Sequence, residues 1–357
     1  KQINLFFKKQ NMKKKSLNAK KIILKHLNNN QISKIYKKFE KSLDSNEKYA
    51  VALSGGPDSL ALAFLAKCYA LKHGTNIKYL IVDHRLRKES SIEAEHVSLM
   101  LKKYSINCKI LKWKGKKPKS NIQSIARNIR YSLLTNECKI SKIRKLLVGH
   151  HMDDLHENFF IRLVRGSGLK GLISMDKTSE LKINNIEIVR PLIDIEKKHL
   201  QSLSLKVYKK YIEDPSNQNK DFKRIRIREL LRDLETEGLD KKKLQLTINN
   251  LKDTYKSVIF YTNKNIKENC VHSLKDNKYI LSSKFFEQSD EIIFRSILDL
   301  LKKVSSKYYP PRGKSVKELI LAIDLNNQLK TTLGGCLIEK VNRTVFISSE
   351  KPQKKQN

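Results

Sequence analysis

The hexapeptide Ser54-Gly55-Gly56-Pro57-Asp58-Ser59 is entered from the apolar run Ala50-Val51-Ala52-Leu53 and left through a second apolar run, Leu60 to Ala66. Adjacent glycines between a strand and a helix let the backbone approach a ligand closely. The helix start that follows offers unpaired N–H groups at the positive end of its dipole. Such a turn cradles phosphate; the alternative is a tight Gly-Gly turn capped by serine, with no ligand. The lysine-bearing loop G-x-x-x-x-G-K-[ST] occurs nowhere in the chain, and the hexapeptide is not G-x-G-x-x-G. Without that lysine, the loop suits a pyrophosphate that departs better than a γ-phosphoryl group that is delivered.

A second group of reactive types lies in Gly149-His150-His151-Met152-Asp153-Asp154-Leu155-His156-Glu157-Asn158. On a helix, His150 and Asp154 are four apart and Asp154 and Glu157 three apart, so their side chains share one face. Three readings are open: a surface that handles a charged substrate with Mg²⁺, a transition-metal site in which His-x-x-x-Asp chelates, or a solvated helix start whose acids complement the dipole. Further polar stretches are Val82-Asp83-His84-Arg85-Leu86-Arg87, Arg165-Gly166-Ser167-Gly168-Leu169, Arg190-Pro191-Leu192, Glu213-Asp214-Pro215-Ser216-Asn217 and Phe222-Lys223-Arg224-Ile225-Arg226-Ile227-Arg228. In the last of these the arginines alternate, so they share a face on a strand and spread out on a helix. Lys109 to Lys119 holds six Lys around Trp113, a place for base stacking or for a partly buried loop anchor.

The full Ser54-to-Ser59 string after a strand resembles the S-G-G-x-D-S signature of the PP-loop ATP pyrophosphatases, which split ATP into AMP and pyrophosphate to adenylate an oxygen. The stretches around Asp83, His150, Arg165, Arg190 and Glu213, in this order, resemble the tRNA(Ile)-lysidine synthetases over about Lys48 to Arg228. The resemblance implies a ligase that joins free L-lysine to C2 of the wobble cytidine of a CAU-anticodon isoleucine tRNA through an adenylated cytidine. It also implies ATP and Mg²⁺ as cofactors, a homodimer as an option, and a cytoplasmic location. Ser54, Gly55, Gly56, Pro57, Asp58, Ser59, Asp83 and His84 would bind the nucleotide, and Asp58, with Asp154 as a second candidate, the Mg²⁺. Asp58, His150, Asp154, Glu157 and Arg130 would act on the reaction: the acids hold lysine's cationic groups, His150 takes up a proton or touches phosphate, and Arg130 meets lysine's carboxylate or the activated intermediate. Arg165, Arg224, Arg226 and Arg228 would contact tRNA, although Ile225 stands where the family pattern has Asn. The rivals are a 2-thiocytidine-type sulfur transferase and a non-catalytic RNA-binding protein on the same fold. The first is disfavoured because the five cysteines form no C-x-x-C pair, the second because Asp58, His150, Asp154 and Glu157 occur together.

These residues need a scaffold that gathers strand ends. Strand-like runs at Tyr49–Leu53, Ile77–Val82, Cys108–Leu111, Leu146–Val148 and Ile186–Val189 alternate with helical patterns at Ser59–His73, Ser91–Tyr104 and Asn121–Lys139. That order predicts an α/β fold, a parallel sheet with helices on both faces. Polar helices are expected over Leu230–Leu301. A small α+β C-terminal domain follows, with a helix at Ser315–Leu325 and strands at Leu333–Glu339 and Thr344–Ser348, where Gly334-Gly335 reads as a strand turn. The expected organisation is a basic extension (1–44), a PP-loop domain (45–218), a helical tRNA-binding or linker region (219–306), the small domain (307–350) and a disordered tail (351–357).

Over 357 residues, 74 Lys+Arg stand against 36 Asp+Glu, a net charge of +38. Such an excess points to a polyanion, most plausibly nucleic acid. Against this, 59 of the basic residues are Lys and only 15 Arg, as AT-biased coding alone produces. Residues 1–39 hold 12 Lys and no acid, a basic arm in which a helix is expected from Ser16 to Phe39. The scattered cysteines argue against a disulfide framework and fit a reducing compartment. No apolar stretch reaches membrane-spanning length.

Overall fold

The computed structural model describes residues 22–86, 89–115, 118, 120–177, 183–212, 223–274, 278–305 and 311–350. Most of the basic arm, the segment from Glu213 to Phe222, Tyr308 to Pro310 and the C-terminal tail therefore lie outside the described residues. The chain divides into two compact units, Lys1–Gln245 and Leu246–Asn357.

The first unit opens with α1 (Asn30–Glu40). The expected long N-terminal helix is interrupted at Asn29, whose side chain accepts from the N–H groups of Gln31 and Ile32 and starts a new helix there. The pattern then alternates: β1 (Tyr49–Leu53), α2 (Pro57–His73), β2 (Ile77–Asp83), α3 (Ser90–Lys102), β3 (Cys108–Lys112), α4 (Ile122–Ile140), β4 (Lys145–Leu147), α5 (Met152–Leu163), the single turn α6 (Leu169–Leu172), β5 (Glu187–Val189) and α7 (Lys197–Tyr208). Every pairing in this sheet is parallel, in the order β3-β2-β1-β4-β5.

Side-chain alternation along the central strand explains the two-sided burial. Tyr49, Val51 and Leu53 point into one apolar layer with α1, α2 and α7, while Ala50 joins Leu80, Leu146 and Ile188 in the other, closed by Leu134 and Cys138 of α4. Helix α2 is buried all round over about two turns, from Ser59 to Ala66, because it packs on the sheet and also against α7. Ser204 of α7 donates to Pro57 O at 2.6 Å, tying down the start of α2. In this sheet the strand order reverses between β1 and β4. That is where an open parallel sheet leaves a crevice at its strand carboxyl ends, and both reactive groups of the sequence sit there.

Helices α8 (Lys223–Thr236) and α9 (Lys241–Asn269) follow. The second unit contains β6 (Cys270–Ser273), β7 (Lys278–Leu281), α10 (Asp290–Ser305), α11 (Gly313–Leu325), β8 (Gln328–Leu333), β9 (Cys336–Val341) and β10 (Thr344–Ser349). Its sheet is antiparallel, ordered β6-β7-β10-β9-β8, and α10 and α11 close its core around Phe285, Ile297, Leu300, Val316 and Ile338. Three strands differ from expectation. The β6–β7 hairpin lies in the region read as helical, because its strands are four residues long and β7 gains its second partner from β10, which follows more than sixty residues later. Strand β8 begins five residues before the expected strand, and Gly334-Gly335 is the turn to β9, both glycines at positive φ.

Candidate functional site

The loop between β1 and α2 is shaped by one hydroxyl. Ser59 Oγ accepts from Ser54 N–H (3.2 Å) and Gly55 N–H (3.1 Å) and donates to Gly56 O (3.0 Å). Gly55 is at φ +85, and a Cβ there would stand 2.6 Å from Val97 Cγ2, so both conformation and space demand glycine. Its carbonyl accepts from Ile212 N–H at 3.1 Å. Gly56 caps α2 and Pro57 occupies its first turn, where a missing N–H costs nothing. Asp58 follows at the positive end of the helix. Gly149, past the end of β4, comes so close to the backbone of Asp58 and Ser59 that a Cβ would lie 3.3 Å away.

These ends border a cleft open to solvent, lined by Ser54, Gly56, Asp58, Ser59 and His150 on one side and by Arg127, Arg130 and Tyr131 of α4 on another. Two buried atoms at the cleft, Asp58 Oδ1 and His150 Nδ1, have no hydrogen-bond partner among the described residues. Buried polar groups are normally satisfied, so the pair brings spare hydrogen-bonding capacity to the cleft. Burial pushes the His150 imidazole down to about 3 against the pull of Asp154, and Arg190, Arg127 and Arg224 add to the lowering. His84, at the end of β2, accepts from Arg130 Nε at 3.2 Å; burial and that guanidinium push it down to about 4. Both imidazoles are neutral at physiological pH.

Asp83, expected at the nucleotide, is only 1% exposed. Its carboxylate accepts from Ser90 Oγ, Ser91 Oγ and Arg85 N–H, which holds the turn that carries His84. Helix α5 begins with a reciprocal cap. His151 Nδ1 accepts from Asp154 N–H and Asp154 Oδ2 accepts from His151 N–H. His151 Nε2 lies 3.5 Å from Asp58 Oδ2 and 3.4 Å from Asp154 Oδ2. Burial would lower this imidazole, but the surrounding carboxylates of Asp58, Asp154 and Asp153 hold it above the ordinary histidine value.

The acids of α5 already have cationic partners. Arg224 Nη2 lies 3.0 Å from Asp154 Oδ1, its Nε donates to Glu157 Oε2, and Arg228 Nε donates to Glu157 Oε1. Burial would raise the Asp154 carboxyl, but His151 and Arg224 hold it below its usual range. Asp153 accepts from Lys197 N–H and Lys241 Nζ. The arginine stretch is thus helical, not a strand: Arg224 and Arg228, one turn apart, face the acids, while Arg226 is exposed, as is Arg165 beyond α5. Trp113 is half-buried with its ring against Gly115, which fits a loop anchor.

The structure therefore gathers Ser54, Gly56, Asp58, Ser59, Arg130 and His150 on one cleft and links Asp154 to it through His151. Sequence reasoning passed over His151, Arg127 and Tyr131. Arg127 sits three before Arg130 and four before Tyr131, helical spacings that could have found them. Among the described residues, no three or more His, Cys, Asp or Glu are grouped to enclose a metal. Asp58 Oδ1 does offer a hard oxygen donor of the kind magnesium takes when it is shared with phosphates.

A model of the PP-loop domain matches residues 24–234. The chain is 36% identical over 310 residues to the tRNA(Ile)-lysidine synthase of Wolbachia sp. subsp. Brugia malayi, covering 85% of this chain and 71% of that protein. It is 36% identical over 320 residues to that of Orientia tsutsugamushi, covering 87% and 71%. Among solved structures, the U34-tRNA thiolase NcsA from Methanococcus maripaludis superposes with a TM-score of 0.53 at 20% identity, over 63% of this chain and 78% of that one, a likeness of fold.

Proposed function

Because this chain belongs to the tRNA(Ile)-lysidine synthases, a family of ATP-using tRNA-modifying ligases, we propose that its cleft joins free L-lysine to C2 of the wobble cytidine of a CAU-anticodon isoleucine tRNA. The observation that supports this assignment most directly is the pair of unsatisfied buried acceptors, Asp58 Oδ1 and His150 Nδ1, facing one cleft at the reversal of strand order. A cytoplasmic setting belongs to the same reading. No described helix is long and apolar enough to cross a membrane.

In the first step, cytidine O2 attacks the α-phosphorus of ATP and the bond to pyrophosphate breaks, leaving an adenylated cytidine. Ser59 Oγ fixes the shape of the Ser54-to-Ser59 turn that would receive the departing pyrophosphate. Asp58 would hold Mg²⁺, whose charge offsets that developing on the phosphates. Arg127 and Arg130, across the cleft, place positive charge opposite.

In the second step, lysine's ε-amine, its ammonium proton already given up to solvent, attacks C2 and AMP leaves; the new C2–N nitrogen then has one further proton to lose. Asp154 and Glu157 bind lysine's cationic groups, in exchange for Arg224 and Arg228. His150 is a hydrogen-bond acceptor, not a strong base. Moving a proton to a group at about 3 from an ammonium near 10.4 would cost about 10 kcal/mol. It can still receive the proton once the C2–N bond has formed and that nitrogen has become far more acidic. Arg165 and Arg226 are both exposed and in this reading contact tRNA phosphates.

Incubation with ATP, labelled lysine and bulk bacterial tRNA should place label in RNA, and Asp58→Ala and Asp154→Ala should each lower tRNA-dependent turnover by about 100-fold or more. Undiminished turnover in both variants, or another nucleophile entering RNA in place of lysine, would overturn the assignment.

A further inference from the structure

We propose that His151 is the positioning residue that ties the two half-sites together, holding Asp58 of the phosphate loop and Asp154 of the lysine subsite on one ring N–H. The proposal rests on the lysine-ligating reading of the cleft and deepens it.

The ring's orientation follows from its hydrogen bonds. Nδ1 accepts from the Asp154 backbone N–H at 3.3 Å, so it bears no hydrogen and the ring proton resides on Nε2. That nitrogen faces Asp58 Oδ2 at 3.5 Å and Asp154 Oδ2 at 3.4 Å. The ring is 3% exposed, so no solvent competes for the proton. Two carboxylates 96 positions apart in sequence, one at the start of α2 and one in the first turn of α5, thereby flank a single ring N–H within ion-pair distance.

The consequence lies in which oxygens remain. Asp58 spends Oδ2 on His151 and keeps Oδ1 for a ligand. Asp154 spends Oδ2 on His151 and presents Oδ1, now paired with Arg224, toward the cation subsite. Without the shared N–H, two partly or fully buried anions would face each other and move apart, and each would be free to turn the wrong oxygen outward. His151 thus fixes the aim of both carboxylates without touching ATP or lysine itself. It also makes occupation of one half-site felt by the other, because the carboxylates share a rigid link.

The same ring caps α5, so a merely structural role must be separated from the bridge. The amide substitutions do this. In His151→Asn the side-chain oxygen can replace Nδ1 as the cap, but nothing reaches Asp58. In His151→Gln the side-chain nitrogen can replace Nε2 as the bridge, while the cap is lost. The variants are compared by melting temperature, by kcat and KM for tRNA-dependent pyrophosphate release, and by KM for lysine.

His151→Asn should melt within a few degrees of the parent yet lose about 10-fold or more in kcat for pyrophosphate release, with KM for lysine rising by a similar factor. His151→Gln should melt lower but stay within about 5-fold of the parent in both steps. The opposite ranking, or both variants within about twofold of the parent, overturns the proposal. Should either variant fail to fold, titration of the folded one with a fluorescent ATP analogue decides: His151→Asn must bind it more weakly than the parent, and His151→Gln must not. If the parent itself puts no lysine into tRNA, the assignment of substrate fails, and the Asn–Gln contrast in nucleotide affinity still tests the bridge.

Discussion

His84 and His150 are neutral imidazoles set beside guanidinium groups, and their burial has a stability consequence that can be measured. In the unfolded chain an imidazole takes its proton near 6.5; in the folded chain His84 does so near 4 and His150 near 3. Between those values the unfolded chain binds more protons, so stability is complete above pH 6.5 and falls as pH drops toward 4 and then 3. At pH 5 the loss is at most about 2 kcal/mol for His150 and less for the more exposed His84. His150→Asn should therefore lose less melting temperature between pH 7 and pH 5 than the parent; an equal loss would assign the acid sensitivity to other groups. Gly55→Ala should abolish pyrophosphate release, because the added methyl meets Val97 and the backbone is held at positive φ; retained turnover would contradict the tightness of the loop. At this scale the sequence was informative where type and spacing coincide, as in Ser54 to Ser59. It was silent on His151, whose role depends on a carboxylate 93 residues earlier.

Helix α8 acts as a clamp on α5. Glu157 is 3% exposed and relies on Arg224 and Arg228 for its partners. Removing one partner of a buried pair leaves an uncompensated charge and costs about 3–5 kcal/mol. Arg228→Gln should destabilise the protein by up to that amount, less because Arg224 remains. Glu157→Gln in the same background should recover part of it, with a coupling of about 1 kcal/mol or more in a double-mutant cycle. Simple additivity would mean that the clamp is not an energetic unit. The five parallel strands and their helices were legible because long apolar runs and a Gly-Gly turn punctuate them. The clamp was not: Arg224, Arg226 and Arg228 alternate as on a strand, and only the packing of α8 against α5 selects the helix. The β6–β7 hairpin was hidden for a similar reason, since strands of four residues are specified by their distant partner more than by their own pattern.

For the molecule as a whole, +38 is a prediction about salt. If tRNA binding neutralises about six phosphates, log affinity should fall against log salt with a slope of about −4 to −5. The 12 Lys of residues 1–39 carry nearly a third of the charge, and the remainder of the chain keeps +26. Deleting residues 1–21, which hold eight Lys, should flatten the slope if the arm touches RNA; an unchanged slope would leave AT-biased coding as its explanation. One hydrogen bond, from Ile212 to the Gly55 carbonyl, also bears on how the protein is made. It joins residues 157 positions apart, and the β1 edge that receives β4 waits 96 positions. At about 5–20 residues per second, a ribosome needs roughly 8–30 s to pass from one partner to the other. Throughout that interval the nascent chain has its phosphate loop but not the segment that fastens it. The ATP site matures late in translation, and an early pause or truncation would yield a chain that has the signature motif but lacks the competence it advertises.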